Sequence, residues 1–365
     1  MNPKDCTIGL LFGGRSAEHE VSLLSAANVE AALRDAGYNI VLIGIDRSGR
    51  WFLVDQIHSP EAEAGKHSDG GSHAHPVTLA PGCGGRLISL DGSGKSLATI
   101  DVVFPVLHGP FGEDGTVQGL LRLANVAFVG PDVLGSAVAM DKDVAKRLLH
   151  HAGIPVVDGL VLSKGDASGF EAVRDTLGLP VFVKPANLGS SVGVSKADNQ
   201  ADFDNAVKKA FHYDDKILIE KDASGREIEC AVLGLEAPTP SLPGEIVPAD
   251  AHGFYSYDAK YIDGDGARLL VPANLSDAEI KQVQELSVSV CRILCCEGMA
   301  RVDFFLTATG DLFVNEVNTI PGFTAISMYP KLWEATGKPP AVLVTSLVDH
   351  ALGRFARQQM LETRH

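Results

Sequence analysis

Arg301-Val302-Asp303-Phe304-Phe305-Leu306, the turn Thr309-Gly310-Asp311 and the run Leu312-Phe313-Val314-Asn315-Glu316-Val317-Asn318 decide how this chain is read. Two apolar, β-rich runs flank a Gly-Asp turn, so a hairpin is predicted. Alternate residues of a strand share a face. Arg301 and Asp303 therefore point one way on the first strand, and Glu316 and Asn318 point together on the second. The face gathers two carboxylates, a carboxamide and a guanidinium. Hard oxygen donors of this kind suit Mg²⁺, which takes one or two carboxylates plus substrate phosphates. An arginine beside them can hold a phosphoryl group bidentately. The plainer alternative is a solvated face with surface ion pairs. Against it, an asparagine two residues from a glutamate inside an apolar strand is poor strand chemistry unless something recruits it.

Outward from that hairpin, the 365 residues suffice for two or three domains. A formal net charge of −15 with no long basic run argues against a nucleic-acid groove, which demands clustered Lys and Arg. A nucleotide needs only a few local cations and stays open. No apolar stretch is long enough to span a bilayer, and the polar start reads as no signal peptide, so no membrane partner is expected. The cysteines (Cys6, Cys83, Cys230, Cys291, Cys295, Cys296) show no paired metal spacing. Cys291 and Cys295, four apart on a predicted helix, read as small buried hydrophobes. The expected compartment is the cytoplasm.

Along the chain, a strand at Thr7–Phe12 ends in Gly13-Gly14, a helix runs over Ser22–Asp35, and a strand follows at Asn39–Ile45. That order opens an α/β sheet. From about Asp55 to Ser96 the chain is Gly-, Ser- and His-rich. His67, His73 and His75 there are read as part of a mobile surface excursion, since nothing fixes their geometry. Further strands are expected at Asp101–Leu107, Val126–Val129, Val181–Lys184, Gly193–Ser195, Lys216–Lys221, Glu227–Leu235 and Glu245–Pro248. Helices are expected at Thr116–Ala124, Asp141–Ala152, Asp202–Phe211, Ser276–Glu297 and Pro339–Leu352.

Several motifs sit at the ends of these elements. Ala186-Asn187-Leu188-Gly189-Ser190-Ser191-Val192-Gly193 follows Lys184-Pro185. Small residues let backbone N–H groups approach a phosphate, and the serines add hydroxyl donors. Strands on both sides make this a flap over a ligand, or else an ordinary hairpin, rather than a Walker A loop. Gly94-Lys95-Ser96 lacks the first Walker glycine, because Ser89 stands there. Lys142 opens a helix, where lysine opposes the dipole unless an anion compensates. By itself it reads as an exposed lysine balanced by Asp141 and Asp143. Glu220 and Glu227 are candidates for an adenine amino group and ribose hydroxyls, or are surface acids. Glu18, after Gly13-Gly14, and His108 lie at the carboxyl ends of strands, where open sheets bind ligands. The stretch 254–261, with Lys260 and Tyr261, reads as a lid. Gly322 follows the acidic strand and can offer a backbone N–H, as an oxyanion hole requires.

In this order the motifs resemble the D-alanine–D-alanine ligases of the ATP-grasp superfamily. The resemblance runs from Gly13 to about Gly337. Its pieces are Gly-Gly-Arg-Ser-Ala-Glu-His-Glu-Val-Ser (13–22), His-Gly-Pro-Phe-Gly-Glu-Asp-Gly (108–115) and Lys-Pro-Ala-Asn-Leu-Gly-Ser-Ser-Val-Gly (184–193). The others are Tyr-Asp-Ala-Lys-Tyr (257–261), Arg-Val-Asp (301–303) and Asn-Glu-Val-Asn-Thr-Ile-Pro-Gly (315–322). The resemblance implies a three-domain α/β fold. An N-terminal open α/β sheet domain (1–140) would be followed by two α+β domains clasping ATP, a central one (141–230) and a C-terminal one with metal site and lid (231–365).

It also implies a reaction: two D-alanines joined through a D-alanyl phosphate, with release of ADP and phosphate, for peptidoglycan precursor synthesis. Carried over by motif position, Lys142, Lys184 and Lys260 would contact phosphates, under a flap carrying Ser190 and Ser191. Glu220, Lys221, Ala223 and Glu227 would hold adenine and ribose. Asp303, Glu316 and Asn318 would bind two Mg²⁺ or Mn²⁺, with K⁺ carried as an optional further ion. Glu18 and His108 would place the first D-alanine, and Ser327 and Met328, with Lys260, would serve the substrates. Arg301 and Gly322 would stabilise the oxyanion, and Tyr261 would close the lid by pairing with Ser190 and Glu18. A homodimer is expected. The alternatives are a ligase that takes D-lactate second, and a silent nucleotide-binding protein on the same fold.

Overall fold

The computed structural model describes residues 3–58, 74–166, 169–234, 236–248 and 267–362. Strands β1 (Thr7–Gly13), β2 (Asn39–Ile45), β3 (Trp51–Val54), β4 (His75–Leu79), β5 (Arg86–Ser89), β6 (Ser96–Thr99), β7 (Val102–Val106) and β8 (Ala127–Phe128) form one sheet, in the order β6-β5-β4-β3-β2-β1-β7-β8. β1 lies parallel to β2 and β7. Helix α1 (His19–Asp35) makes the crossover between β1 and β2. Continuous apolar sequence suits β1 because helices or loops cover both its faces. Gly13 must be glycine. Its φ is +88, and a Cβ there would lie 2.3 Å from the Ile45 carbonyl oxygen.

The excursion after residue 55 is corrected in its described part. β3 to β6 pair antiparallel and extend the first sheet. Val77, Leu79 and Leu87 are buried with Ile43, Ile100, Leu121 and Phe128. The glycines and serines occupy the turns and hide short alternating strands between them. His67 and His73 lie outside the described residues, and His75 is exposed on β4.

Helices α2 (Thr116–Ala124), α3 (Val133–Met140) and α4 (Lys142–His151) follow. The central sheet holds β9 (Gly159–Ser163), β10 (Val181–Pro185), β11 (Ser195–Ala197) and β12 (Lys216–Lys221), in the order β11-β10-β12-β9. Helices α5 (Phe170–Leu177) and α6 (Gln200–Ala210) cover it, burying Val173, Leu177, Phe203 and Ala206. The third sheet holds β13 (Gly225–Gly234), β14 (Thr239–Pro240), β15 (Gly244–Pro248), β16 (Ala267–Leu270), β17 (Gly298–Thr307) and β18 (Leu312–Asn318). Its order is β16-β15-β13-β17-β18, with β14 paired to β13. The helices α7 (Asp277–Ile293), α8 (Met328–Ala335) and α9 (Pro340–Gln359) complete the chain.

Sheet membership moves one expected boundary. A break at 230/231 would cut β13, which belongs to the third sheet from Gly225 onward. Ala145 and Leu149 of α4 also pack on the third-sheet core, with Ile228, Val302 and Val314. We therefore place the central unit between β9 and β12. Sequence periodicity missed α3, α5, α8 and β9, all short elements of eight residues or fewer. Cys291 is buried, but Cys295 lies past the end of α7 with φ +56 and is exposed, against expectation.

One core joins the first and third sheets. Leu10, Phe12 and Phe104 share it with Phe323, Tyr329, Trp333 and Leu347. Phe323 packs tilted against Tyr329 and edge-on against Phe104, at 5.5 and 6.3 Å between ring centroids. Each such side chain contributes about 1.5–3 kcal/mol on burial. The loops beside this core, which carry His108 and Gly322, are thereby held against each other. Among the described residues, no helix is long and apolar enough to cross a membrane.

Candidate active site

The hairpin forms as predicted, and its register brings the acidic groups together. Arg301 faces Asn318 and Asp303 faces Glu316 across β17 and β18. Arg301 donates from Nε to Asp303 Oδ1 and from Nη2 to Asp303 Oδ2, both at 2.7 Å. Asn318 Nδ2 donates to Asp303 Oδ2 at 2.9 Å. Burial opposes the charge on Arg301, but Asp303 and Glu229 outweigh it and hold the guanidinium pKa well above its usual value. The register slips between Asp303 and Phe304, so Phe304 faces Val314 and Asn315 is left over. Such a bulge re-aims one side chain. Here Asn315 Oδ1 accepts from Lys184 Nζ at 3.2 Å.

Lys184 lies in the wall of a cavity of about 540 Å³ between the central and third sheets. That volume suits a small-molecule or cofactor ligand. Of the expected nucleotide contacts, Lys142, Lys184, Ser191, Glu220, Lys221, Ala223 and Glu227 all line it, as does Glu316 of the expected metal set. Phe182 and Phe305 also line it and were missed. Alternation on β10 was the available signal, since Phe182 shares a face with Lys184.

One lysine reading changes. Lys142 is buried, not exposed. Its Nζ donates to Leu188 O at 2.6 Å and pairs with Glu316 at 3.3 Å. Asp141 and Asp143 balance Lys216 instead, at 2.6 and 3.0 Å. Lys146, which the sequence did not single out, pairs with Glu220. Glu220 also takes Lys184 at 2.5 Å. Burial disfavours the Glu220 charge, but the two lysines overcome it and lower its pKa. Its carboxylate is thus committed to lysines.

A smaller cavity of about 90 Å³ adjoins the hairpin face and is lined by Glu18, His108, Ser190, Arg301, Gly322 and Ser327, among others. It has room for about three waters or one small solute. The flap closes over it, with Ser190 Oγ donating to Glu18 Oε1. Ser190 and Ser191 take φ of +50 and +59, a conformation uncommon outside glycine that recurs at ligand-covering loops. Asp214 anchors the flap base through Asn187 N at 2.8 Å. Ser327 Oγ accepts from Thr324 N at 2.9 Å and stands at the N-terminus of α8, where a carboxylate is favoured. A Cβ on Gly322 would lie 2.8 Å from that hydroxyl. Met328 is buried, with its side-chain end against Gly244, and it lines the smaller cavity beside Ser327. Lys260 and Tyr261 lie outside the described residues, as does the whole predicted lid, 254–261.

His108 is fully engaged. Nδ1 meets Ile320 O at 3.0 Å and Nε2 meets Ser25 Oγ at 3.1 Å. Burial lowers its pKa and favours the neutral ring. Beside it, Glu113 takes Gly109 N at 2.8 Å and Ile320 N at 3.1 Å, tying the first domain to the third. Burial, then the charge of Glu18, pushes the Glu113 carboxyl from 4.5 up to about 8. Between those values the unfolded chain releases a proton that the folded chain keeps, so rising pH opposes folding across that window and no further above it. Glu113→Gln loses one accepted backbone bond, about 1 kcal/mol, and this pH dependence with it. The thermal midpoint of the wild type should therefore fall relative to E113Q between about pH 5 and pH 8. Parallel curves would show that Glu113 is ionised throughout in the folded protein.

The two carboxylates and the carboxamide of this face, beside the lysine-lined wall of the larger cavity, suit a divalent metal with phosphate oxygens. Comparison with known proteins agrees with this chemistry. The D-ala D-ala ligase N-terminus model matches residues 7–131, and the D-ala D-ala ligase C-terminus model matches residues 148–349. A D-alanine–D-alanine ligase of Shouchella clausii is 50% identical over 98% of this chain and 97% of its own. D-alanine–D-alanine ligase B of Bradyrhizobium diazoefficiens is 53% identical, over 97% and 95%. Among solved structures, the D-alanine–D-alanine ligase of Coxiella burnetii has a TM-score of 0.82 at 42% identity, covering 97% of both chains. The VanG D-Ala:D-Ser ligase of Enterococcus faecalis has a TM-score of 0.81 at 34% identity, covering 95% of this chain and 99% of its own. The chain belongs to the D-alanine–D-alanine ligase family and has its ATP-grasp fold.

Proposed function

We propose that the protein joins two D-alanines at the expense of ATP, giving D-alanyl-D-alanine, ADP and phosphate for peptidoglycan precursors. One observation carries the reading. Glu316 lines both the large cavity and the small one, so nucleotide and amino-acid sites would meet at the Arg301–Asp303–Glu316–Asn318 face.

A carboxylate is a poor electrophile, and phosphorylation makes it a good one. That transfer needs positioning and charge neutralisation more than covalent chemistry. Lys142 and Lys184 supply positive charge in the wall of the large cavity. Asp303, Glu316 and Asn318 would hold Mg²⁺, which when bound neutralises phosphate charge. Glu18 would hold the ammonium group of the first D-alanine, under Ser190. The α8 N-terminus and Ser327 would hold the carboxylate of the second. When its free amine attacks the acyl phosphate, Arg301 and the Gly322 N–H would stabilise the oxyanion. The flap excludes water that would hydrolyse the intermediate. No protein nucleophile is required. We place the enzyme in the cytoplasm, as a homodimer, with K⁺ as an optional activator.

The test is ADP release with D-alanine alone, followed by product mass with D-alanine, D-serine and D-lactate offered in turn. Dipeptide from D-alanine alone is the expected result. No ADP release with D-alanine would sink the reading, and ester as the main product would favour the D-lactate alternative.

A further inference from the structure

Arg301 is held by more negative charge than one chelating partner supplies. Asp303 takes its Nε and one Nη. Glu229 Oε2 lies 2.8 Å from the same Nε, whose one hydrogen goes to Asp303, so Glu229 is paired with the guanidinium by charge and not by a hydrogen bond to Nε. Glu229 is only 5% exposed, and a buried carboxylate is costly unless a cation compensates it. It sits on β13 opposite Asp303, which is itself opposite Glu316, so three acids form a row across three strands. Arg301 shares that face two residues along. Glu229 lines the smaller cavity with it.

Asp303 has two tasks on the proposed reading, since it chelates Arg301 and is a candidate metal ligand. A guanidinium held by Asp303 alone would loosen whenever that carboxylate turned to another cation. A second buried carboxylate beside Nε adds a charge that restrains it. We propose that Glu229 is a positioning residue for the ligase reaction: its buried charge beside Nε holds the Arg301 guanidinium in place, so that the remaining N–H groups keep their aim when Asp303 turns to another cation. The proposal rests on the ligase reading above. Pre-organisation of this kind matters because small misplacements of a charged donor weaken transition-state contacts most.

The test uses Glu229→Gln and Glu229→Asp in the full chain. E229Q should lower kcat by about tenfold to a hundredfold, while the KM for ATP and the Mg²⁺ half-saturation stay within about twofold. E229D should recover much of the loss. A second readout needs no loaded enzyme: the Arg301 Nε–H resonance of ligand-free protein carrying isotope-labelled arginine. It should be sharp in the wild type, broadened in E229Q and restored in E229D. Should E229Q fail to fold, Glu229→Asn replaces it in both measurements. Wild-type kcat with an unchanged resonance would overturn the proposal. So would a Mg²⁺ half-saturation raised about tenfold at full kcat, which would make Glu229 a metal ligand instead. If the wild type releases no ADP with D-alanine, the ligase reading fails, and the resonance still tests the anchor.

Discussion

Glu316→Gln will abolish measurable turnover and leave the fold intact. Glu316 stands opposite Asp303 on the hairpin and pairs with Lys142 at 3.3 Å. It is also common to both cavity walls. The carboxamide keeps the shape and one oxygen but removes the charge, at the place where phosphoryl charge develops. Loss of one such electrostatic contact costs about 10²–10³ in kcat, and a weakened metal site adds to that. The structural cost is smaller. Lys142 keeps its bond to Leu188 O, and the β17–β18 ladder does not involve the Glu316 side chain. The measurements are kcat across a Mg²⁺ titration and the thermal midpoint. Near-normal kcat with an unshifted Mg²⁺ dependence would sink the metal assignment.

What the sequence made legible was local. Period-two alternation put Arg301 with Asp303 and Glu316 with Asn318 without reference to any other part of the chain. The strands at Asn39–Ile45 and Lys216–Lys221 and the helix at Thr116–Ala124 were equally local, and their bounds agree. Residues whose roles depend on distant partners were not legible. Glu113 serves Ile320 across 207 positions of sequence, and His108 meets Ser25 across 83. Lys142 read as exposed because its neighbours Asp141 and Asp143 offered local balance, yet both turn to Lys216. The bulge that turns Asn315 toward Lys184 leaves no mark in the alternation that reveals the strand. Glu229 was within reach, because it is two residues beyond Glu227 on the same face. Its partner Arg301, though, becomes visible only when β13 is laid beside β17.

Arg301→Lys is the sharper test of the oxyanion assignment, because it keeps the charge and removes the fork. Lysine and arginine differ most where bidentate geometry is used. In the structure Asp303 occupies two guanidinium nitrogens, and Glu229 lies beside one of them. The guanidinium therefore chelates Asp303, offsets the charge of Glu229 and still has donors left for a substrate oxygen. A lysine ammonium has three donors on one atom. Drawn between two buried carboxylates, it has no second nitrogen to project into the smaller cavity. The expected loss is about 10²–10³ in kcat, the size seen when one oxyanion donor is removed. The KM for ATP should move little, since the contact is made in the transition state. Retained charge keeps the buried acids compensated, so the thermal midpoint should fall by only a few degrees, about 1 kcal/mol or less. If Arg301 also helps the phosphoryl step, isotope exchange within ATP in the presence of D-alanine should slow in parallel with dipeptide formation. Slowed dipeptide formation with normal exchange would confine Arg301 to the amine attack. A folded R301K with wild-type kcat would remove Arg301 from the reaction altogether and leave it as a structural counter-ion for Asp303 and Glu229.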